Sequence, residues 1–203
     1  MNGVPRFIVL EGIDGSGKST QAADIHSFLA ASGIGSVHLA EPTGGKWGSE
    51  IRRMLKNGDP VPAAEQLRLF LLDRQDDAEI NIVPALSEGK WVVMDRYYFS
   101  NMAYQGAAGI DPMSVLKENR ERGFPEPDRI YYIDITPEEA LSRVASRSAG
   151  GAAELFEKKS FLEAVRGFYL SMIDERFMIV NGSLQRGEVL DIITGDIKKR
   201  FLS

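Results

Sequence analysis

Short, nearly continuous apolar runs recur along the chain, each stopped by glycine, proline or charge. "RFIVLEG" (6–12), "GSVHLAEP" (35–42), "KWVVMDR" (90–96), "DRIYYIDI" (128–135) and "RFMIVNG" (176–182) read as strands. Between them the apolar spacing turns helical. Ala22, Ile25, Phe28 and Leu29 share a face within 21–32, and Gly33 ends that segment. Ile51, Met54 and Leu55 mark a small helix that stops near Gly58. A longer helical region covers about 63–88, with Pro84 expected to kink or divide it. Thr136 and Glu139 form a T-x-x-E capping box with Pro137 at the first helical position. The last helix covers about 186–201, with Val189, Ile192, Ile193 and Ile197 expected inward. Strands that alternate with helices and are apolar throughout indicate a parallel sheet covered on both faces. "SAGGAA" (148–153) is small and uncharged, and reads as a hinge or a loop tip.

The 203 residues suit one domain with a core of its own. Hydrophobic content of 43% and charged content of 26% are ordinary for a soluble globular protein. No apolar stretch is long enough to cross a bilayer, and "MNGVPRFIVL" lacks the layout of a signal peptide, so a cytoplasmic protein is expected. The net charge of −5 argues against a dedicated nucleic-acid binder. The absence of cysteine removes disulfides, thiolate metal sites and a thiol nucleophile. His26 and His38 show no metal-ligand spacing and are expected at or near the surface. Chemistry here must rest on Lys, Arg, Asp, Glu, hydroxyls and a borrowed metal.

Gly12, Ile13, Asp14, Gly15, Ser16, Gly17, Lys18, Ser19 and Thr20 fit the pattern G-x-x-x-x-G-K-[ST], between a strand and a helix. Glycines there let backbone N–H groups face phosphate, and the helix N-terminus adds its positive end. Lys18 is expected at the β- and γ-phosphates of a nucleoside triphosphate, and the Ser19 hydroxyl on Mg²⁺. Asp95 and Arg96 end the third strand. In a parallel sheet that places them beside the loop, Asp95 on the Mg²⁺ shell and Arg96 in the same crevice. Phe70 and Arg74 share a helix face, a ring and a planar fork suited to a nucleobase, although a helical aromatic is more often core. Arg143 and Arg147 stack on one helix face beside "SAGGAA", the layout of a lid closing on phosphates. Asp14 is the odd member: a carboxylate inside an anion cradle, or simply a turn residue bonding its own backbone.

Taken with "EPTGG", "IRRML", "LFLLDR", "PALSEGKWVVMDRYYFS" and "AYQG", these motifs resemble the thymidylate kinase family along nearly the whole chain. The resemblance implies an α/β fold of the P-loop NTPase kind. That is a three-layer sandwich with a five-stranded parallel sheet, helices on both faces and a short mobile lid at 142–157 within a single 1–203 domain. It implies transfer of the γ-phosphate of ATP to dTMP with Mg²⁺, in a protein that is commonly a homodimer. It also implies roles for single residues. Phe70 stacks on thymine and Arg74 bonds its O4 edge. Ser100 and Gln105 line the base pocket, with Glu41 and Pro42 nearby. Tyr104 crowds the sugar C2′, Arg96 binds the dTMP phosphate, and Asp14 bonds the 3′-hydroxyl. With Gly15 and Ser16 after Asp14, the loop supplies no arginine, so Arg147 or Arg143 of the lid is the expected transition-state cation.

Two departures stand out. Ala40, Glu41, Pro42 and Thr43 occupy a stretch where many members carry an arginine, and Arg52 is the nearest substitute. Leu155 stands where an arginine follows the lid in many bacterial members. They leave room for a kinase acting on another pyrimidine monophosphate, and for a nucleotide-binding regulatory module with little turnover. For dTMP itself no general base is needed, because a phosphate monoester is mostly dianionic at neutral pH.

Overall fold

In the computed structural model, residues 4–57, 61–145 and 152–202 are described, with only the backbone course given for 145 and 152–157. The apolar runs form β1 (Phe7–Glu11), β2 (Ser36–Ala40), β3 (Trp91–Asp95), β4 (Arg129–Asp134) and β5 (Phe177–Asn181). They make one parallel sheet in the order β2-β3-β1-β4-β5. Successive strand residues face opposite sides, so β1, β3, β4 and β5 each feed two cores, while edge strand β2 gives Val37 and Leu39 to one. Phe7, Val9, Val92, Met94, Ile130 and Tyr132 pack on one side, and Ile8, Leu10, Val93, Tyr131 and Ile133 on the other.

The helices are α1 (Lys18–Ala31), α2 (Lys46–Asn57), α3 (Ala63–Asp77), α4 (Val83–Ser87), α5 (Tyr98–Ala107), α6 (Pro112–Glu121), α7 (Pro137–Ala145), α8 (Ala152–Ser171) and α9 (Arg186–Ile197). Residues of α1 and α9 cover the Ile8–Leu10 side, and those of α3, α5 and α8 the other. The division expected at Pro84 occurs through a π-helical turn, Ala78–Ile82, between α3 and α4. Proline lacks an N–H and crowds the carbonyl four residues back; a widened turn relieves that clash. Helices α5 and α6 fall where the apolar spacing suggested nothing. Asp111 accepts from Met113 N and Pro112 takes the first turn, a start signal legible in hindsight.

Some side chains face differently from expectation. Ile192 is exposed whereas Val189, Ile193 and Ile197, spaced by whole turns, are buried. Leu67 and Leu71 of α3 are core residues of this chain. The T-x-x-E box is only half made: Thr136 Oγ1 accepts from Glu139 N, while the Glu139 carboxylate turns to Arg143 and Ser183. No helix among the described residues is long and apolar enough to cross a membrane.

One charge is poorly served by the packing. Asp77 is buried at the end of α3; its Oδ1 accepts from Asn81, but Oδ2 has no partner among the described residues. Burial, helped by Asp73, pushes its carboxyl up to about 6 from 3.8. The folded state thus holds this proton more tightly than the unfolded chain, so its stabilising effect is present below 3.8 and lost as pH rises through about 6. Asp77→Asn is expected to raise Tm near pH 8 by roughly 3 °C or more, with the gain vanishing near pH 4. Calorimetry across that range checks it, and a lower Tm at high pH would contradict it.

Candidate active site

The chain order places a switch point between β1 and β3, where connections leave in opposite directions. The loop after β1 and the Asp95–Arg96 turn after β3 flank it. Register sets Leu10 beside Asp95, and Arg96 N donates to Leu10 O at 3.0 Å. Gly12 is obligatory for close approach: its φ is +150°, and a Cβ there would lie 2.5 Å from Ile133 O and 2.7 Å from Ser16 Oγ. Gly15 does the same toward α7, where a Cβ would meet Ala140 O at 2.9 Å.

Helix α1 starts with no side-chain cap, so its first N–H groups open onto the loop. Lys18 folds inside the curve, its Nζ donating to Ile13 O at 2.8 Å and, more distantly, to Ser16 Oγ. Burial, then the nearby Arg96 charge, pushes that ammonium down to about 7. A polyphosphate beside it acts in the opposite sense and favours the charged form. Asp14, Gly15, Gly17, Lys18, Ser19, Thr20, Arg96 and Arg143 wall a cavity of about 740 Å³. Ser19 Oγ donates to Asp95 Oδ2, while Asp95 Oδ1 is buried with no partner among the described residues. A hydroxyl beside a carboxylate with a spare oxygen is the hard-oxygen donor set that suits Mg²⁺. No cluster of three or more His, Cys, Asp or Glu side chains placed to hold a metal exists among the described residues. Such an ion therefore needs phosphate and water for its remaining ligands.

A second cavity, about 550 Å³, lies on the other side of Asp14 and Arg96. Pro42, Leu55, Gln66, Phe70, Ser100, Asn101, Tyr104, Gln105 and Phe161 complete its wall. Asp14 and Arg96 thus belong to both cavities. They are joined: Arg96 Nη2 donates to Asp14 Oδ1, and Tyr104 OH reaches Asp14 Oδ2 at 3.4 Å. Although burial opposes ionisation, Arg96 and Lys18 hold the Asp14 carboxyl below its ordinary value. Arg96 itself has φ +70°, a conformation few non-glycine residues adopt. Such strain persists only where surroundings over-determine it. Here Leu10 O takes its own N–H, and Glu11 Oε1 takes the next one, Tyr97 N, at 2.8 Å.

Several sequence-derived assignments change on inspection. Arg74 does not line this second cavity. It is fully buried beneath it, with Nε and Nη2 on Glu41, Nη1 on Asn119 and Nη2 also on Asn101. Four residues after Phe70 it shares that side of the helix, but α3 lies against α5 there and covers it. Glu41 is likewise buried rather than on the wall. Burial raises its carboxyl against the pull of Arg74, yet a two-oxygen fork needs the ionised form. Arg52 bonds Pro42 O at 2.9 Å and Ser49, outside the cavity wall, so it braces the rim. Arg143 donates to Gly15 O, Glu139 and Gly182 O, which sets it at the edge of the phosphate loop. Arg147 lies outside the described residues, as do 146–151 of the 142–157 segment, and nothing is described of the Leu155 side chain. The His26 and His38 rings sit 6.3 Å apart, with Ser36 on His26, and neither lines either cavity.

Residues the sequence reading passed over include Glu11, Leu55, Gln66, Asn101, Asn119 and Phe161. Asn101 carried a signal, being one residue past Ser100 and a turn before Gln105. Phe161 and Leu55 had none, because an exposed apolar residue on a helix looks like any other.

A family model described as thymidylate kinase matches residues 10–193. A probable thymidylate kinase of Archaeoglobus fulgidus is 44% identical over 183 residues, 90% of either chain. A thymidylate kinase of Leptospira interrogans is 36% identical over 203 residues, 98% of either chain. One from Akkermansia muciniphila is 37% identical over 196 residues, 97% of this chain and 93% of its own. These matches run through the glycine-rich loop, the Asp95–Arg96 turn and most of the second cavity's wall alike, and on them the chain belongs to the thymidylate kinase family.

Proposed function

We propose that this chain transfers the γ-phosphoryl group of ATP to dTMP, giving ADP and dTDP. The observation that carries the reading is the shared wall: among the described residues the two cavities share the Arg96–Asp14 pair. ATP phosphates rest on the N–H groups of the loop and α1, with Lys18 among them. dTMP takes the other cavity, its ring against Phe70, its sugar beside Tyr104 and its phosphate on Arg96. Asp14 accepts from the 3′-hydroxyl and keeps the Arg96 fork aimed at the phosphate. Ser100 and Gln105 line the base side, and Pro42 closes the rim above the buried Glu41.

The acceptor oxygen is already a good nucleophile, so catalysis reduces to positioning two polyanions and offsetting their repulsion. Mg²⁺, held by Ser19 and Asp95, supplies positive charge at the phosphates when bound. Arg96 and Lys18 supply the fixed cations, and Arg143 or Arg147 the one that arrives with the lid. The same reading includes a cytoplasmic location and a homodimer. Since Leu67 and Leu71 are spent in the core, exposed Ile80 and Val83 are better placed for a partner.

A coupled assay of ADP release with dTMP, dUMP and AMP tests the activity; a preference for AMP would overturn it. Lys18→Ala is expected to lower kcat by about 10² or more. An arginine finger contributes roughly 10³–10⁵ elsewhere. Arg147→Ala or Arg143→Ala should accordingly cut kcat steeply, and both staying within about twofold of wild type would remove the lid arginine. Asp14→Asn is expected to raise KM for dTMP by about tenfold and that for ATP far less. Equal loss for both substrates would return Asp14 to a turn residue.

A further inference from the structure

The Arg96 fork is held at two ends. Nη2 donates to Asp14 Oδ1 on the exposed side, and Nη1 donates to Ser100 Oγ at 3.0 Å on the buried side. Nη1 also reaches Gly12 O, at 3.4 Å. A serine hydroxyl turns about one bond and has one proton to give, so its stance is set by its other neighbours. Ser100 Oγ donates to Glu11 Oε2 at 2.7 Å and lies 3.0 Å from Tyr169 OH. Tyr169 OH itself donates to Glu11 Oε2 at 2.8 Å. The phenol thus closes a triangle of oxygens behind the arginine. Both hydroxyl protons go to the carboxylate, which leaves a lone pair of Ser100 for Nη1.

Tyr169 comes to this place from α8. It has no exposed surface and lines neither cavity. Its ring stacks on Tyr132 of β4, with centroids 4.9 Å apart and planes at 27°. Three residues earlier, Arg166 grips Asp134 at the end of β4 through both oxygens. Packing and an ion pair therefore fix the phenol, and the phenol in turn fixes the serine.

We propose that Tyr169 is a positioning residue for the acceptor phosphate: its hydroxyl holds Ser100 and Glu11 in the arrangement that aims Arg96, and it touches no substrate itself. The inference rests on the assignment of that phosphate to Arg96. Without the phenol, Glu11 Oε2 lacks one of its two donors in a place closed to water, and Ser100 can turn toward the gap. Arg96 then keeps only its exposed anchor, Asp14, and the distant Gly12 O, and the fork pivots about the carboxylate.

Thymidine has the base and sugar of dTMP and lacks only the phosphate. The ratio of the two affinities therefore isolates the aim of Arg96 from general damage to the cavity. Kd for dTMP and for thymidine is measured on the full chain for wild type, Tyr169→Phe, Arg96→Ala and the double variant. In Tyr169→Phe the preference for dTMP over thymidine is expected to fall about tenfold, the worth of one hydrogen bond to a charged group. In the Arg96→Ala background the same change is expected to leave that preference within about twofold, because the two residues act in series. Ser100→Ala cuts the link at its next member. It is expected to lower the ratio as Tyr169→Phe does, and it serves if Tyr169→Phe fails to fold. A merely structural Tyr169 would weaken both ligands alike and leave the ratio unchanged, which overturns the proposal. An effect of Tyr169→Phe that persists undiminished without Arg96 overturns it as well. If Arg96→Ala lowers the ratio and Tyr169→Phe does not, the proposal alone fails. If Arg96→Ala leaves the ratio intact, the phosphate assignment fails and the proposal with it.

Discussion

Glu11 is a carboxylate with no exposed surface, at the end of the central strand β1. A bare carboxylate in such a place is costly, so its surroundings must supply donors to every lone pair they can. Oε1 accepts from Tyr97 N, at the N-cap of α5, and from Ser100 N in its first turn, so a residue of β1 caps that helix. Oε2 accepts from the Ser100 hydroxyl and from Tyr169 OH of α8. Three elements far apart in sequence are thereby fixed to one atom group. Burial still raises the carboxyl, while these donors and Arg96 pull the other way. The positive-φ turn at Arg96 is held between Leu10 O and this carboxylate, and Ser100 Oγ passes the restraint to Arg96 Nη1 at 3.0 Å. The direction of the one arginine shared by both cavities thus depends on a residue that meets neither.

The same logic repeats along the carboxyl rim of the sheet. β2 is followed by Glu41, whose N–H donates to Asp95 O, and whose side chain is buried against Arg74. β3 ends in Asp95, engaged with Ser19 of the next helix. β4 ends in Asp134, held by Arg166 of α8 through both oxygens at 2.7 Å. Four of the five strands deliver an acid to the rim, and each acid takes a donor from a helix. Apolar packing positions the layers; these acids set the helix ends relative to the crevice to within hydrogen-bond tolerance. Asp73 extends the pattern to the loop after β2, accepting from Thr43 N at 2.7 Å and Thr43 Oγ1 at 2.6 Å.

Much of this was legible in the sequence, for physical reasons. The central strands β1, β3 and β4 were visible because a strand buried on both faces must be apolar throughout. The phosphate loop was visible because its glycines are demanded by backbone geometry rather than by neighbours. Helices α5 and α6 were not, because "DRYYFSNMAYQG" mixes rings, amides and small residues whose burial is decided by what packs on them. Arg74 illustrates the limit most clearly. Its spacing from Phe70 was read correctly, but a helix face says nothing of what covers it, and α5, through Asn101, closes over the guanidinium. Glu11 and Asn119 carried no signal, since a polar residue in an apolar run is explained only by its distant partners.

Asp14 then appears in a different light from that of a misplaced charge in an anion cradle. Lys18 and Arg96 are close enough that each depends on the carboxylates around them, and Arg96 is among the causes that lower the lysine. Two cations converging on one crevice repel, and repulsion between groups of like sign costs most where water is scarce. Asp14 sits on the open side of that pair, its side chain 65% exposed, and binds the Arg96 end. It offsets the repulsion from the solvent side, as Glu11 and Asp95 do from the buried side. An anion entering either cavity therefore meets cations already fixed in direction by carboxylates that do not themselves lie among the loop N–H groups. Preorganised charge of this kind spares the reorganisation that flexible side chains would need at the moment of transfer. The negative residue in the cradle thus serves the positive ones.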